Sequence, residues 1–290
     1  MENLEQKSEV EQLELKPLWE IYTDLKPELL QRDGTVKHPT GLHELDRATF
    51  GMWKRELMVM GARPGQGKSM LALHLAKTLA DNNQKVIFFS LEMSKESLCE
   101  RLITNICEIN NLDLREGVAH DLIEERSKLF LDWAENVKLL IDDRNGHSFQ
   151  KIVQVVKEIT PDWVFVDYVQ LISMKGFKDK LSALEEFVKE LHRMGKHNNF
   201  GTILVSQLNR QGVDHSGVHH LKAGGILEEH ADQVWLLDWD KLKNEYLIRV
   251  EKNRHGAMAR VNVSFKPQYS MFEDGHLQPP IQRKDWGTKE

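Results

Sequence analysis

ELMVMGARPGQGKSMLALHLAKTLA, residues 56–80, is the stretch around which the rest of the sequence is organised. The apolar run Glu56 to Gly61 predicts a strand, and the residues from Lys68 to about Ala80 carry apolar side chains at helical spacing. Between them AlaArgProGlyGlnGlyLysSer, Ala62 to Ser69, fits the phosphate-binding loop pattern, with alanine at its first position. A simple glycine turn is the alternative, but strand, loop, Lys-Ser pair and helix occur in register, which favours nucleotide binding.

The chemistry of this loop suits a nucleoside triphosphate with magnesium. Gly65 and Gly67 allow the backbone to turn its N–H groups toward a polyphosphate, at the positive end of the following helix. Lys68 is expected to reach the β- and γ-phosphates, and the Ser69 hydroxyl to bind Mg²⁺. The nucleotide-binding residues predicted from the loop are Arg63, Pro64, Gly65, Gln66, Gly67, Lys68 and Ser69.

Composition bounds the class of protein. With 290 residues, 40% hydrophobic and 29% charged, the chain can bury one large core or two modest ones. The net charge of −6 argues against a uniformly basic nucleic-acid coat but leaves room for a local basic channel. Only two cysteines occur, without metal-ligand spacing, and neither a signal peptide nor a bilayer-spanning run is evident, so we expect a cytoplasmic protein with no membrane partner.

The segments after Gly41 alternate between strand and helix. Continuous apolar strands between amphipathic helices predict an α/β fold, with a mainly parallel twisted sheet covered by helices on both faces. Three β-rich segments near the end predict an antiparallel extension at one edge. Strands are expected at 56–61, 85–90, 137–141, 163–171, 202–207, 233–237, 246–250 and 261–265, and helices at 68–80, 95–109, 121–133, 149–159 and 181–196.

Three regions are expected along the chain. Residues 1–38 combine a polar, mobile start with an amphipathic helix whose apolar side chains lie between Leu15 and Leu29. That helix has no core of its own, so it must pack either on its own globular domain or on a neighbouring subunit. Residues 39–275 form the catalytic domain, and residues 276–290 form a tail.

Polar residues follow three of the predicted strands. Asp167 ends the apolar run TrpValPheVal and is expected to be the second magnesium contact beside the loop, although an exposed strand-end acid is the alternative. Glu92 follows the strand VIFFSL and has two equally supported roles, a base that activates water or a helix-start acid. Gln207 ends the strand ThrIleLeuValSerGln, where its amide either senses the γ-phosphate or caps the strand.

The loop from Leu208 to Leu221 contains three histidines, His215, His219 and His220. Histidines can form a metal site, but no periodicity aligns these with cysteines and no HExxH pattern is present, so a flexible solvated loop is favoured.

Seven ordered motifs together resemble the ATPase domain of DnaB-type replicative helicases, a hexameric branch of the RecA-like family. They cover about residues 40–272. The motifs are ThrGlyLeuHisGluLeuAsp (40–46), the phosphate loop (62–69), PheSerLeuGluMet (89–93), LeuIleAspAsp (140–143), ValAspTyrValGlnLeu (166–171), SerGlnLeuAsnArg (206–210) and LysAsnArgHisGly (252–256).

The resemblance implies a RecA-like P-loop ATPase core and roles for residues that are ambiguous on their own. It makes Glu92 the catalytic base and Gln207 the γ-phosphate sensor. Lys252 and Arg254 correspond to basic fingers that reach a neighbour's ATP site and neutralise charge on the transferred phosphoryl group. Each active site would then lie between subunits, and a monomer should hydrolyse ATP poorly.

The resemblance also implies single-stranded DNA in a central channel, held by the loops after the Asp167 and Gln207 strands. Cations and backbone amides there suit sequence-independent contact with phosphates. Any single exposed lysine is more commonly just solvated. The DNA-binding residues expected are Lys175, Lys178 and Lys180 in the first loop, and Arg210, Lys222 and Gly225 in or beside the second.

Two departures from the family pattern qualify these expectations. Where the family has an Arg-Glu-Ser-Gly-like run, this chain has LysAlaGlyGly at 222–225, so Ala223 replaces an acidic residue and DNA contact is expected to be weaker or differently arranged. Replicative members carry a helical amino-terminal domain that binds primase, whereas only about 38 residues precede the ATPase domain here, enough for a linker helix, which puts the primase contact in doubt.

The sequence therefore predicts an ATP- and Mg²⁺-dependent replicative DNA helicase motor. It would form a hexamer, translocate on single-stranded DNA and unwind duplex, with a helicase loader as a possible partner. Two alternatives stay open: a RecA-like recombination or mediator ATPase that coats DNA as a filament, and an ATP switch that binds single-stranded DNA and regulates another helicase without unwinding.

Overall fold

The computed structural model describes residues 16–30, 36–144, 146–173, 179–208 and 224–275. The described residues up to Val36 belong to one compact unit, and those from Lys37 onward belong to a second. In the first unit the predicted amphipathic helix is present as α1, Leu18–Leu30.

The second unit alternates strands and helices as the sequence predicts. Its helices are α2 (His43–Thr49), α3 (Lys68–Asp81), α4 (Lys95–Ile106), α5 (Asn111–Glu116), α6 (His120–Asn136), α7 (Phe149–Ile159), α8 (Lys180–Asn198) and α9 (Gly224–His230). Its strands are β1 (Leu57–Ala62), β2 (Val86–Ser90), β3 (Leu139–Asp142), β4 (Trp163–Asp167), β5 (Gly201–Gln207), β6 (Gln233–Asp240), β7 (Glu245–Asn253), β8 (Ala259–Lys266) and β9 (Met271–Asp274).

All nine described strands form one sheet in the order β3-β2-β4-β5-β1-β6-β7-β8-β9. The pairings from β3 to β6 are parallel, and those from β6 to β9 are antiparallel. The predicted parallel sheet with an antiparallel extension at one edge is therefore confirmed. Parallel strands have their carboxyl ends on the same side of the sheet. The residues that follow β1, β2, β4 and β5 therefore lie side by side there.

Both faces of the sheet are buried, which explains why the central strands are apolar without interruption. In β4, Trp163 and Phe165 pack into the core that contains the apolar side of α3, whereas Val164 and Val166 pack into the opposite core with α7 and α8. Asp167 continues the alternation and therefore projects toward the α3 face.

Some predicted boundaries were wrong. The strand expected at 163–171 ends at Asp167 and is followed by a 3₁₀ turn, Val169–Leu171, so apolar composition alone overestimated its length. The helix expected to reach residue 109 ends at Ile106. Lys180, which we expected in a DNA-binding loop, is the first residue of α8, where Asp179 accepts hydrogen bonds from the Leu181 and Ser182 amides and caps the helix.

None of the helices in the described ranges has both the length and the apolar character needed to cross a bilayer.

Candidate functional site

The predicted phosphate loop connects β1 to α3. Gly65 and Gly67 both have positive φ, 73° and 74°, a conformation that glycine adopts without strain. Gly67 is the N-cap residue of α3 and has no side chain to occupy the first-turn amides, so these amides can bind an anion. The loop is closed by a hydrogen bond from the Gln66 amide to the Arg63 carbonyl, 3.2 Å long.

Lys68 and Glu92 are brought together from separate motifs. The Lys68 ammonium lies 2.9 Å from Glu92 Oε2 and 4.6 Å from the centre of the Tyr168 ring. Lys68 is buried, whereas the Glu92 side chain is 46% exposed. The carboxylate can therefore meet water while the ammonium faces the loop.

Asp167 is fully buried, and neither of its carboxylate oxygens has a hydrogen-bond partner within the described residues. Burial raises the pKa of this carboxyl, while the nearby Ser69 hydroxyl and Lys68 ammonium act in the opposite direction. Ser69 thus lies beside the carboxylate without satisfying it. Buried charges are normally paired or coordinate a metal, so the orphaned oxygens fit a cation site shared with Ser69.

A magnesium site of this kind does not need a cluster of protein ligands. The described residues contain no group of three or more His, Cys, Asp and Glu side chains able to hold a metal. Mg²⁺ commonly binds through one or two protein oxygens together with phosphates and water, which agrees with a site made by Ser69 and Asp167. The histidines at 215, 219 and 220 lie outside the described residues.

Gln207 lies directly beside the start of the phosphate loop. It pairs with Ala62 in the β1–β5 register, and the next amide, of Leu208, donates to the Ala62 carbonyl over 2.9 Å. The backbone N–H of Gln207 donates to Gln170 Oε1 at 3.3 Å, and the side-chain Nε2 of Gln170 donates to the Ser206 hydroxyl at 2.7 Å. Gln170, in the motif at 166–171, therefore fixes the end of β5 through these two hydrogen bonds, a role that the sequence did not predict.

A second residue that sequence reasoning missed is Arg101, in the middle of α4. Burial lowers the pKa of its guanidinium, while the negative charges of Asp167 and Glu92 raise it, so this cation belongs to the same charged cluster. Its Nη1 donates to Met70 Sδ at 2.9 Å. No spacing rule places a residue of α4 near the end of β4, so no signal in the sequence identifies it.

The side chains of Lys252 and Arg254 make their contacts elsewhere, with α9 and with Asp232. Lys252 Nζ donates to the Glu228 carbonyl at 2.7 Å, near the end of α9. Arg254 Nη1 lies 2.7 Å from the carboxylate of Asp232, whose own amide donates to the carbonyl of Leu57, the first residue of β1. Burial raises the pKa of Asp232, but His192, the Leu57 amide and Arg254 outweigh it, and the pKa is lowered.

The separation of the two groups follows from strand geometry. The phosphate loop leaves the carboxyl end of β1, whereas Asp232 and Arg254 lie at its amino end. Five residue steps along β1, from Leu57 to Ala62, span about 17 Å at about 3.3 Å per residue. Arg254 is therefore at the far end of the strands from the loop of its own chain, whereas the backbone of Lys252 lies level with Val59, about 10 Å short of Ala62.

The remaining motifs serve the scaffold or lie outside the described part of the chain. In the motif at 40–46, Asp46 Oδ1 accepts from the Thr40 amide at 2.7 Å, and the Thr40 carbonyl lies 3.1 Å from His74 Nε2 on α3. Gly225 is exposed in α9, and Lys180 is exposed at the start of α8. The other predicted DNA-binding residues, Lys175, Lys178, Arg210 and Lys222, lie outside the described residues.

Comparison with known proteins shows the family to which the chain is similar. Residues 38–274 match the family described as the DnaB-like helicase C-terminal domain. The chain is 30% identical over 256 residues to the replicative DNA helicase DnaC of Bacillus subtilis, and 27% identical over 271 residues to the replicative DNA helicase DnaB of Haemophilus influenzae. These matches cover 81% and 87% of this chain but only 56% and 58% of the relatives.

Two solved structures share the fold. One is an isolated ATPase domain that is 28% identical, with a TM-score of 0.81, and the match covers 90% of this chain and all of that one. The other is a DnaB-like replicative helicase, solved in a study of its interactions with primase. It is 27% identical, with a TM-score of 0.80, and the match covers 90% of this chain and 68% of that one. The expected RecA-like ATPase fold is confirmed, and the chain belongs to the DnaB-like helicase C-terminal domain family.

Proposed function

We propose that this chain is the ATP-hydrolysing motor of a replicative DNA helicase, which moves on single-stranded DNA and unwinds duplex. The observation that carries the proposal is the grouping of Lys68, Ser69, Glu92 and Asp167 at one edge of the sheet. Family membership supports the same activity. The chain spans less than two thirds of the length of these curated relatives. Its helicase activity, its binding to DNA and its assembly with other subunits are therefore proposals.

The charged pair suggests how nucleotide binding prepares the base. Before a nucleotide binds, Lys68 and Glu92 neutralise each other across 2.9 Å. A γ-phosphate would compete for the ammonium, and Glu92 would then be free to accept the proton of an attacking water. Ser69 and Asp167 would hold Mg²⁺, which neutralises charge developing on the transferred phosphoryl group. Gln207, beside Ala62, would sense the γ-phosphate.

The active site would be completed by another subunit. Arg254 cannot approach the loop of its own chain across about 17 Å of sheet, and the Lys252 ammonium is hydrogen-bonded to α9, but both would meet the loop of a neighbour placed head to tail. We therefore propose a closed ring with each ATP site between two copies, and the resemblance to hexameric helicases implies about six of them. Arg254 would exchange its contact with Asp232 for a phosphate of the adjacent site.

Replacing Lys68 tests the chemistry directly. Lys68→Ala removes the ammonium that would bind the β- and γ-phosphates, so DNA-stimulated ATP hydrolysis is expected to fall by at least about 100-fold with the fold intact. Steady-state phosphate release measures the loss, circular dichroism checks the fold, and strand displacement of a forked duplex tests unwinding. Lys77→Ala, whose ammonium pairs with Asp81 near the other end of the same helix, is the matched control. Hydrolysis by Lys68→Ala at the parent rate would remove this loop from the mechanism.

A further inference from the structure

The turn between β6 and β7 lies against the phosphate loop and is attached to it on both sides. The Trp239 amide donates to Gln66 Oε1, and the Tyr246 hydroxyl donates to the Gln66 carbonyl at 2.9 Å. The Tyr246 ring also lies 3.3 Å from the position that a Cβ on Gly67 would occupy. The turn is therefore held in place relative to the loop.

Lys241, the first residue of this turn, brings a positive charge to the loop. Its ammonium lies 4.9 Å from the centre of the Trp239 ring and 3.6 Å from the position that a Cβ on Gly65 would occupy. An ammonium over an indole is attracted by the ring, so Trp239 favours this orientation. Because Gly65 has no side chain, the Lys241 ammonium can lie directly beside the backbone of the loop.

The two lysines of the turn differ in their partners. Lys243 lies 3.7 Å from the carboxylate of Asp240 and is partly neutralised by it. Within the part of the chain that the structure describes, Lys241 forms no ion pair with a carboxylate, and its side chain is exposed. An uncompensated ammonium beside amides that attract anions raises the positive potential of the loop.

We propose that Lys241 binds the phosphate chain of the nucleotide on the Gly65 side of the loop, as a second cation from the same subunit beside Lys68. The inference rests on the proposed function, since it names a further residue of that nucleotide site. Lys241 has three N–H donors and a flexible stem, which suits a phosphate oxygen that approaches the rim of the loop. It contributes to affinity, whereas the chemical step stays with Lys68 and Glu92.

Direct binding measurements separate this role from catalysis. Isothermal titration calorimetry of adenylyl imidodiphosphate with Mg²⁺ gives Kd for the parent, Lys241→Ala and Lys243→Ala. We expect Lys241→Ala to raise Kd about 3- to 10-fold, the size of a partly exposed charge contact, and Lys243→Ala to leave it unchanged. Lys241→Arg, which keeps the charge, should stay near the parent value.

Salt dependence tests whether the effect is electrostatic. Raising NaCl from about 0.05 M to about 0.5 M should bring the Kd ratio of Lys241→Ala to parent toward one, because exposed charges are screened. A ratio that does not change with salt would indicate lost packing on Trp239 and overturn the assignment. Equal Kd values for Lys241→Ala and parent would also overturn it and leave the proposed function standing. A parent that binds no nucleotide would instead contradict the proposed function itself.

Discussion

At the scale of single residues, the role proposed for Asp167, binding Mg²⁺, opposes the stability of the fold. A buried carboxylate without hydrogen bonds costs folding free energy, and its raised pKa expresses that cost at neutral pH. Asp142, at the end of β3, is the opposite case. Although burial raises its pKa, Arg144 and His147 lower it to about 2. Two strand-end aspartates in one sheet thus have opposite energetic roles.

Asparagine at these two positions should therefore give opposite results. Asp167→Asn removes the buried charge and should raise the free energy of unfolding without nucleotide by about 1–3 kcal/mol, while abolishing Mg²⁺-dependent hydrolysis. Asp142→Asn removes a carboxylate whose hydrogen bonds are satisfied and should lower the free energy of unfolding by about 1 kcal/mol. Urea unfolding at neutral pH measures both. A destabilised Asp167→Asn protein would show that its carboxylate is satisfied in the folded state.

His74 predicts a pH dependence of stability. Burial lowers the pKa of this imidazole from 6.5 to about 4, and its Nε2 lies 3.1 Å from the Thr40 carbonyl. Between these pH values the unfolded chain binds the proton and the folded chain does not, so stability is full above 6.5 and falls as pH drops toward about 4.

The expected loss from this one group is about 2–3 kcal/mol across that window. His74→Gln keeps an N–H donor for the Thr40 carbonyl but cannot titrate, so its unfolding free energy should fall less over the same range. Urea unfolding at pH values spaced between neutrality and about 4 gives the comparison. Parallel curves for the parent and the variant would exclude His74 as the source.

Which site residues the sequence predicts depends on how they are positioned. Asp167 and Glu92 each follow a buried strand, and parallel topology brings strand ends together, so their proximity could be expected. The packing of α4 brings Arg101 near Asp167 and Glu92, and the β6–β7 turn brings Lys241 to the loop; no residue spacing specifies either. Lys252 and Arg254 were identified only through family resemblance, and their contacts with α9 and Asp232 required the fold.

At the scale of elements, the β6–β7 hairpin is the support of the phosphate loop. Tyr246 is fully buried, and its hydroxyl satisfies the Gln66 carbonyl. Phenylalanine would keep the packing and leave that carbonyl without this donor. The hairpin thus controls the position of the loop from a segment far away in sequence.

Tyr246→Phe should lower the free energy of unfolding by about 0.5–1.5 kcal/mol and weaken nucleotide binding, because the loop loses a positioning contact. Thermal unfolding and calorimetric titration of the ATP analogue check both effects. Tyr22→Phe, at an exposed tyrosine on α1, is the control and should change neither. An unchanged melting temperature and affinity for Tyr246→Phe would mean that the hairpin does not support the loop.

The long elements were predictable because their periodicity extends over several turns or a full buried strand. Helix α7 occurs at the predicted residues 149–159, where four apolar side chains line one face. The short helices α2, α5 and α9 and the edge strand β9 were not predicted, since four to seven residues carry little periodicity and their ends depend on tertiary contacts. The proposed domain boundary near residue 38 stays a prediction.

At the scale of the whole molecule, the sheet separates two sets of charged residues that the proposed reaction needs together. Lys68, Glu92 and Asp167 lie at the carboxyl ends of the parallel strands, whereas Arg254 lies at their amino ends and the Lys252 ammonium is hydrogen-bonded to α9. One copy of the chain cannot unite them. Copies arranged head to tail can, and closure of that arrangement gives a ring.

Mixing two inactive variants tests this shared site most directly. Glu92→Gln lacks the base but keeps Arg254, and Arg254→Ala keeps the base but lacks the finger, so neither should hydrolyse ATP alone. In an equimolar mixture that exchanges subunits at random, about a quarter of the interfaces combine an intact Glu92 with an intact neighbouring Arg254. We expect recovery of up to that fraction of parent ATP turnover. No recovery at any mixing ratio, in assemblies shown to contain both variants, would contradict a site shared between subunits.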